Sequence, residues 1–211
     1  MNRKLKTYSL ALTAAMTLVA LLASTASAQF TSNKEHTIIS GSQKTATNDV
    51  FTAGEGFGGI TCENATYSGT AVNKSESTQV LSTSLETCKD TFGRTGDIHC
   101  TLCSLTQTSG AGKGTIHISG GTAATITSGG TVVCTMTFAS PQTNTGVTYT
   151  NLGGTSGVEI TRHTKNLIST TSGGFFNCGI GNGEHKSGTY DSITIVTGKD
   201  TSGAAAEISV D

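Results

Sequence analysis

The sequence predicts an all-β fold, a disulfide-stapled antiparallel β-sandwich, on three observations. Its apolar residues alternate with threonine and serine at a period of two, glycine-rich turn signals separate the alternating runs, and no run carries the 3.6-residue period of an amphipathic helix beyond a turn or two. Threonine and the β-branched residues suit a pleated, half-solvated surface.

The clearest run places Val132, Cys134, Met136 and Phe138 on one face and Thr131, Val133, Thr135 and Thr137 on the other. Successive side chains of a strand point to opposite sides, so one face is apolar and the other threonine-rich. Earlier candidate strands are 36–40, 49–53, 65–71 and 79–87. Ile116 and Ile118 repeat the pattern around His117, as do Val158 with Ile160, Ile193 with Ile195, and Ile208 with Val210. Ser119-Gly120-Gly121, Ser128-Gly129-Gly130, Gly153-Gly154 and Gly181-Asn182-Gly183 read as turns between them. Residues 140–146 are polar and hold the only proline, Pro141. They mark the one candidate seam, 139–146, in a chain expected to form a single β-sandwich domain over 29–211. Cys134 and Cys178 flank that stretch, and a bond between them would argue for one unit.

Residues 1–28 predict a secretory signal peptide. Arg3, Lys4 and Lys6 form a basic start, residues 10–23 are almost wholly apolar, and Ala26-Ser27-Ala28 is an A-x-A cleavage signal. The apolar stretch is shorter than the ~20 residues of a spanning helix, and no second one follows. The expected product begins at Gln29, has 183 residues, and is secreted or held at the cell envelope, with no transmembrane segment. It keeps all 14 acidic residues but loses three of the 13 basic ones, which takes the net charge from −1 to −4. Scattered single lysines on an acidic chain offer nothing to nucleic acid or an anionic membrane.

Leucine, isoleucine, valine and phenylalanine make up 35 of those 183 residues, and tryptophan is absent, so a thin core is expected. Six cysteines, Cys62, Cys88, Cys100, Cys103, Cys134 and Cys178, read in an exported chain as disulfides. About 15 connectivities are open; the best single pair is Cys62–Cys88, whose loop is worth about 3–4 kcal/mol. Cys100-Thr101-Leu102-Cys103 has the C-x-x-C spacing of redox sites, but it follows a strand-like Asp97-Ile98-His99 and no helix comes after it. A zinc site from His99, Cys100, Cys103 and His117 lacks a second ligand pair at metal spacing.

No cofactor, metal or catalytic motif is present. There is no G-x-S-x-G elbow, H-E-x-x-H or Walker loop. Gly110-Ala111-Gly112-Lys113-Gly114 opens onto a strand, so no helix N-terminus is there to take a phosphate. His36, His99 and His117 sit in alternating strands, His163 in a charged loop or strand end, and His185 beside Glu184 in a glycine-rich turn. Asp90 and Asp97 around Phe92-Gly93-Arg94 lack the calcium-loop pattern. Sugar stacking would fall to Tyr67, Tyr149, Tyr190 or Phe175-Phe176.

Three phrases, Glu35-His36-Thr37-Ile38-Ile39-Ser40-Gly41, the run from Gly59-Ile60-Thr61-Cys62 to Ala65-Thr66-Tyr67-Ser68-Gly69, and Gly146-Val147-Thr148-Tyr149-Thr150-Asn151, come in that order before Gly188-Thr189-Tyr190. Together they resemble a group of small secreted, Thr/Ser/Gly-rich, six-cysteine proteins of soil actinobacteria that has no assigned function. The resemblance implies bacterial export, cystines and an all-β fold, and assigns no functional residue. One departure is that the group carries a cysteine in the strand occupied here by 116–119, whereas this chain has Cys100 instead.

These observations lead to a non-enzymatic, secreted or envelope-associated β-sandwich, a binding, adhesive or structural module. Its expected partners are cell-surface components or further copies of itself, with residues 30–40 lending a strand to a neighbour and residues 29–40 dispensable for folding. The alternative is a secreted hydrolase with a site around His163, Glu184 and His185. A carrier of apolar ligands would need a cavity that a thin core is not expected to line.

Overall fold

The computed structural model describes the backbone of residues 29–54, 59–100, 104–110, 113–119, 122–174 and 178–211, and no side chains for 96–110, 119 and 122. The predicted signal peptide, the Cys100–Cys103 motif, the side chains of Asp97 and His99, and Phe175-Phe176 lie outside the described residues.

The described chain is nearly all antiparallel strand, as the alternation predicts. Four strands are long: β4 (Gly59–Ala71), β6 (Thr78–Asp90), β13 (Val158–Ser172) and β14 (Gly183–Lys199). At about 3.3–3.4 Å per residue each spans roughly 40–55 Å, and shorter strands fill the space between them at either end. At the lower end β2 (Thr37–Gln43) joins β14 to β4, while β8 (Ser104–Gly110), β9 (Lys113–Ser119) and β12 (Gln142–Asn151) join β6 to β13. At the upper end β3 (Asp49–Thr52) takes the place of β2. There β7 (Thr95–Cys100), β10 (Thr122–Ser128) and β11 (Thr131–Phe138) complete the path. With β4–β6 and β13–β14 paired as well, each end is a closed circuit of eight strands. The sheets pack around a common core, and closure removes the free edges an open sandwich would show.

Four connections, β2 to β3, β7 to β8, β9 to β10 and β11 to β12, step from one circuit to the other. The last passes through residues 139–141. The polar run beyond it is strand, and Gln142 and Asn144 are buried. Gln142 donates to the carbonyls of Ala139 and Ile168 and accepts from the Ile168 N–H, and Asn144 donates to the carbonyls of Lys165 and Asn166. Gly146 makes a bulge there at φ 99°, and a Cβ at that position would sit 2.2 Å from the His163 carbonyl oxygen.

Each end has its own closure. Below, β1 (Phe30–Ser32) is bonded to β16 (Ile208–Val210) on one side and β5 (Ser75–Glu76) on the other. The Asn151 amide pairs with the backbone N–H and C=O of Val210 at 2.9 Å each. The remaining short strand, β15 (Ala205–Ala206), pairs with the end of β14. Above, Cys134–Cys178 pins the β13–β14 connection to β11, and Ile180 is buried beneath it. Cys62–Cys88, the pair favoured from sequence, joins directly opposed residues of β4 and β6, Cα atoms 3.9 Å apart.

The expectation for residues 29–40 needs correction. β1 is already paired on both sides, and β2 lies between β14 and β4 with Thr37 and Ile39 buried. Deleting 29–40 would remove half of a core strand and cannot be neutral to folding.

Along the interior the core runs apolar, polar, apolar. The lower layer holds Ile39, Leu81, Val158, Ile160, Val196 and Ile208, and the upper layer Phe51, Ile60, Ile126, Met136, Phe138 and Leu167. Between them, where the two circuits meet, the buried residues are Asp49, Tyr67, Arg162, Tyr190, Ser192 and Thr194.

Candidate functional site

The polar waist gathers the buried chemistry of the described residues. Its members come from four strands: Asp49 from β3, Tyr67 from β4, Arg162 from β13, and Tyr190, Ser192 and Thr194 from β14. Each takes the inward position of an alternating strand. On β13, Val158 and Ile160 precede Arg162 on the buried face; on β14, Tyr190, Ser192 and Thr194 precede Val196.

Three oxygens form a triangle. Tyr67 Oη and Tyr190 Oη lie 2.9 and 2.7 Å from Asp49 Oδ1, and 2.8 Å from each other. Arg162 has no exposed surface. Its Nη1 donates to Ser192 Oγ at 3.1 Å and Thr194 Oγ1 at 2.7 Å, and its Cζ stands 4.9 Å from the centre of the Tyr67 ring. A desolvated cation–π contact of this kind is worth about 2 kcal/mol. Phe51 stacks on Tyr190 at 4.1 Å and ties the waist to the upper layer.

Burial sets the acidities. It raises the Asp49 carboxyl above the usual carboxylate value, against the hydrogen bonds from Tyr190 and Tyr67 and the charge of Arg162. Burial likewise raises Tyr67 and Tyr149 and takes Tyr190 well above the ordinary phenol range. Burial pushes Arg162 down, but the tyrosines and Asp49 outweigh it and the guanidinium stays a cation. Every member of the cluster is buried, and its bonds join β3, β4, β13 and β14. No protein-family description, curated protein or solved structure matches this chain.

The residues singled out from sequence are placed differently. His163 is mid-strand in β13 rather than in a loop, and its Nδ1 lies 2.7 Å from Asp191 Oδ1 on an exposed face. His185 and Glu184 are in β14, not in a turn; His185 Nε2 lies 2.9 Å from both Thr171 Oγ1 and the Gly181 carbonyl. In the β13–β14 register His163 faces Asp191 and His185 faces Ser169. Six residues of β13, roughly 20 Å of strand, therefore separate the two histidines, and the structure does not bring them together. His36 is a turn residue with φ 52°, not part of a strand, and His117 faces outward from β9 toward Thr143 Oγ1 at 2.8 Å. Asp90 caps its own hairpin, accepting from the Phe92 and Arg94 N–H groups and pairing with the Arg94 guanidinium at 2.6 Å. Tyr67, Tyr149 and Tyr190 are all buried, so none offers a platform to a sugar.

The lower end lines a small, largely apolar cavity. Phe30, Ile39, Leu81, Val158, Ile160 and Ile208 surround about 30 Å³. That is far below the roughly 300 Å³ at which ligand pockets begin.

Proposed function

We propose that the chain is a secreted or envelope-associated, non-enzymatic β-module that serves as a durable binding, adhesive or structural unit. The observation that carries the reading is the pairing of two closed strand circuits with buried cystines and a sealed polar waist. This construction puts the buried titratable groups out of a substrate's reach and suits a protein exposed to proteases and shear. The bacterial export signal, and kinship with the six-cysteine secreted proteins of soil actinobacteria, belong to the same proposal. Its outer surface, rich in serine and threonine, then meets cell-surface components or further copies of the chain. The test is fractionation of the producing organism with N-terminal sequencing of the recovered protein. A form beginning at Gln29, in the medium or bound to the wall, with no free thiols, supports the reading; cytoplasmic protein with six free thiols overturns it.

A hydrolase is the second reading, and one observation favours it: the His163–Asp191 pair is half of a nucleophile-activating relay. It stands only if a panel of ester, peptide and glycoside substrates shows turnover that His163→Ala abolishes while leaving the melting temperature unchanged.

A further inference from the structure

The upper end displays the two most exposed large hydrophobic side chains of the described residues, Phe92 at 68% and Val132 at 55%. Phe92 is in the turn between β6 and β7, and Val132 opens β11 just past the turn from β10. β7 and β10 are neighbours, with Gly96 opposite Ile126, so the two turns stand side by side. Alternation alone would point Val132 inward beside Cys134. The register slips by one residue there, Ile126 facing Cys134 and Thr127 facing Val132, and the valine is left in solvent.

The Phe92 turn is fixed from beneath by one buried side chain. Asp90 Oδ1 accepts from the Phe92 and Arg94 N–H groups at 3.0 and 2.8 Å, and Oδ2 lies 2.6 Å from both Nε and Nη2 of Arg94. Two backbone bonds, Asp90 N–H to the Arg94 carbonyl and Gly93 N–H to the Asp90 carbonyl, close the same turn. The guanidinium then stands 5.2 Å from the ring centre, backing one face of Phe92 while most of the ring meets water. A phenyl ring held in solvent adds little to the fold. Fixed in advance, it is an anchor that loses little side-chain entropy when a partner covers it.

The surroundings say which partner fits. Thr91, Thr95, Ser128 and Thr131 are exposed on the two turns and their flanks, neutral hydroxyls that both donate and accept. Arg94 is matched by Asp90 and Lys89 by Glu63, so the hairpin presents no cationic patch to an anionic surface. One ring, with a valine two strands from β7 at about 10 Å, is too little apolar surface to hold a bilayer. A neutral sugar has the matching chemistry, an apolar C–H face for the ring and a rim of hydroxyls for the threonines and serine. We propose that Phe92, backed by Arg94, is the stacking platform of a binding site for a neutral polysaccharide chain, which crosses the two upper turns toward Val132. This rests on the reading of the chain as a binding module and names the chemistry of its partner.

The experiment is an amide NMR titration of oxidised residues 29–211. The probes are cellohexaose, chitohexaose and laminarihexaose, with phosphatidylcholine vesicles as the lipid arm. At least one sugar should give saturable shifts confined to residues 90–95 and 127–132. Phe92→Ala should weaken that binding about tenfold, with Tm unchanged because the ring is exposed. Phe92→Tyr should preserve it, and Val132→Thr should weaken it less than Phe92→Ala does. The proposal is overturned if no sugar gives saturable shifts, if Phe92→Ala binds as the wild type does, or if only the vesicles perturb the turns. None of those outcomes bears on export or on the cystines, which fractionation and thiol counting test separately.

Discussion

Two adjacent layers of the same interior follow opposite rules. In the lower layer, Ile39, Leu81, Val158, Ile160 and Val196 pack as hydrocarbon on hydrocarbon, and the stabilising term is area removed from water. One turn of the alternation further along β13 and β14, the inward positions change to Arg162, Ser192 and Thr194. Here the stabilising term is a set of directed bonds, and breaking one leaves a buried polar group unpaired at a cost of about 1–3 kcal/mol. Losing contact area is graded. Losing a polar partner is closer to all-or-none. The lower layer should therefore tolerate conservative replacement, and the waist should not.

The largest effect should come from Arg162→Met, which keeps much of the side-chain volume but strands Ser192 Oγ and Thr194 Oγ1 and removes the contact with Tyr67. A loss of about 3–5 kcal/mol is expected, as for breaking a buried charge cluster from one side, read from urea unfolding with an unchanged m-value. Ile160→Val, one position along the same buried face, should cost only about 0.5–1.5 kcal/mol. Equal losses at the two sites would erase the distinction between the layers.

The same contrast explains what was legible in the sequence. The lower layer was readable because Ile116, Ile118, Val158 and Ile160 obey the apolar alternation, and all four are buried. The waist was not, and β14 shows why. Ile193 and Ile195 carry the visible pattern, yet they are the half-exposed residues, while Ser192 and Thr194 between them are buried. Periodicity finds which residues share a face, but a polar residue's partner on the neighbouring strand leaves no mark on its own. Arg162 would have had to be read together with residues 30 and 32 positions away. The role of the polar run 142–146 was hidden for the same reason, since its buried amides serve carbonyls of β13. Circuit closure was equally hidden, because alternation does not say which strands are neighbours.

A matched pair on β14 tests that inversion at the next level of effect. Thr194→Val swaps a bonded hydroxyl for a methyl group and should cost about 1–3 kcal/mol. Its neighbour Ile195→Thr, which a reading by pattern would rank as the damaging change, should cost less than about 1 kcal/mol. Denaturant midpoints of the two variants give the order directly, and the reverse order would mean that the outward isoleucines belong to the core.

Asp49 gives a pH signature that the lower layer lacks. Its carboxyl is raised in the folded protein, so the fold binds its proton more tightly than the unfolded chain does. The stability it contributes is fully present below the unfolded value of about 3.9, and is lost as pH rises through the higher folded value. Asp49→Asn should flatten that part of the stability-versus-pH curve, the wild-type-minus-variant difference falling as pH rises. A difference that grows with pH would show instead that the ionised carboxylate is the stabilising form.

The smallest effect belongs to the lower layer and has the opposite sign. Val158 borders the cavity of about 30 Å³ beneath β1 and β16, a largely apolar space that Thr31, Gln79 and Ser209 also line. Val158→Ile adds one carbon from the cavity wall. Filling the space recovers the cavity term and the transfer of one methylene, an expected gain of about 0.5–1 kcal/mol. Nothing polar has to be re-paired for that gain, so it should be independent of pH between 4 and 8 in melting experiments. An equivalent methyl added in the waist, as in Ser192→Thr, meets bonded neighbours on every side and should destabilise. If Val158→Ile destabilises too, by the 1–3 kcal/mol typical of overpacking, then the lower layer is as rigidly specified as the waist. The difference between them would then lie in chemistry alone and not in tolerance.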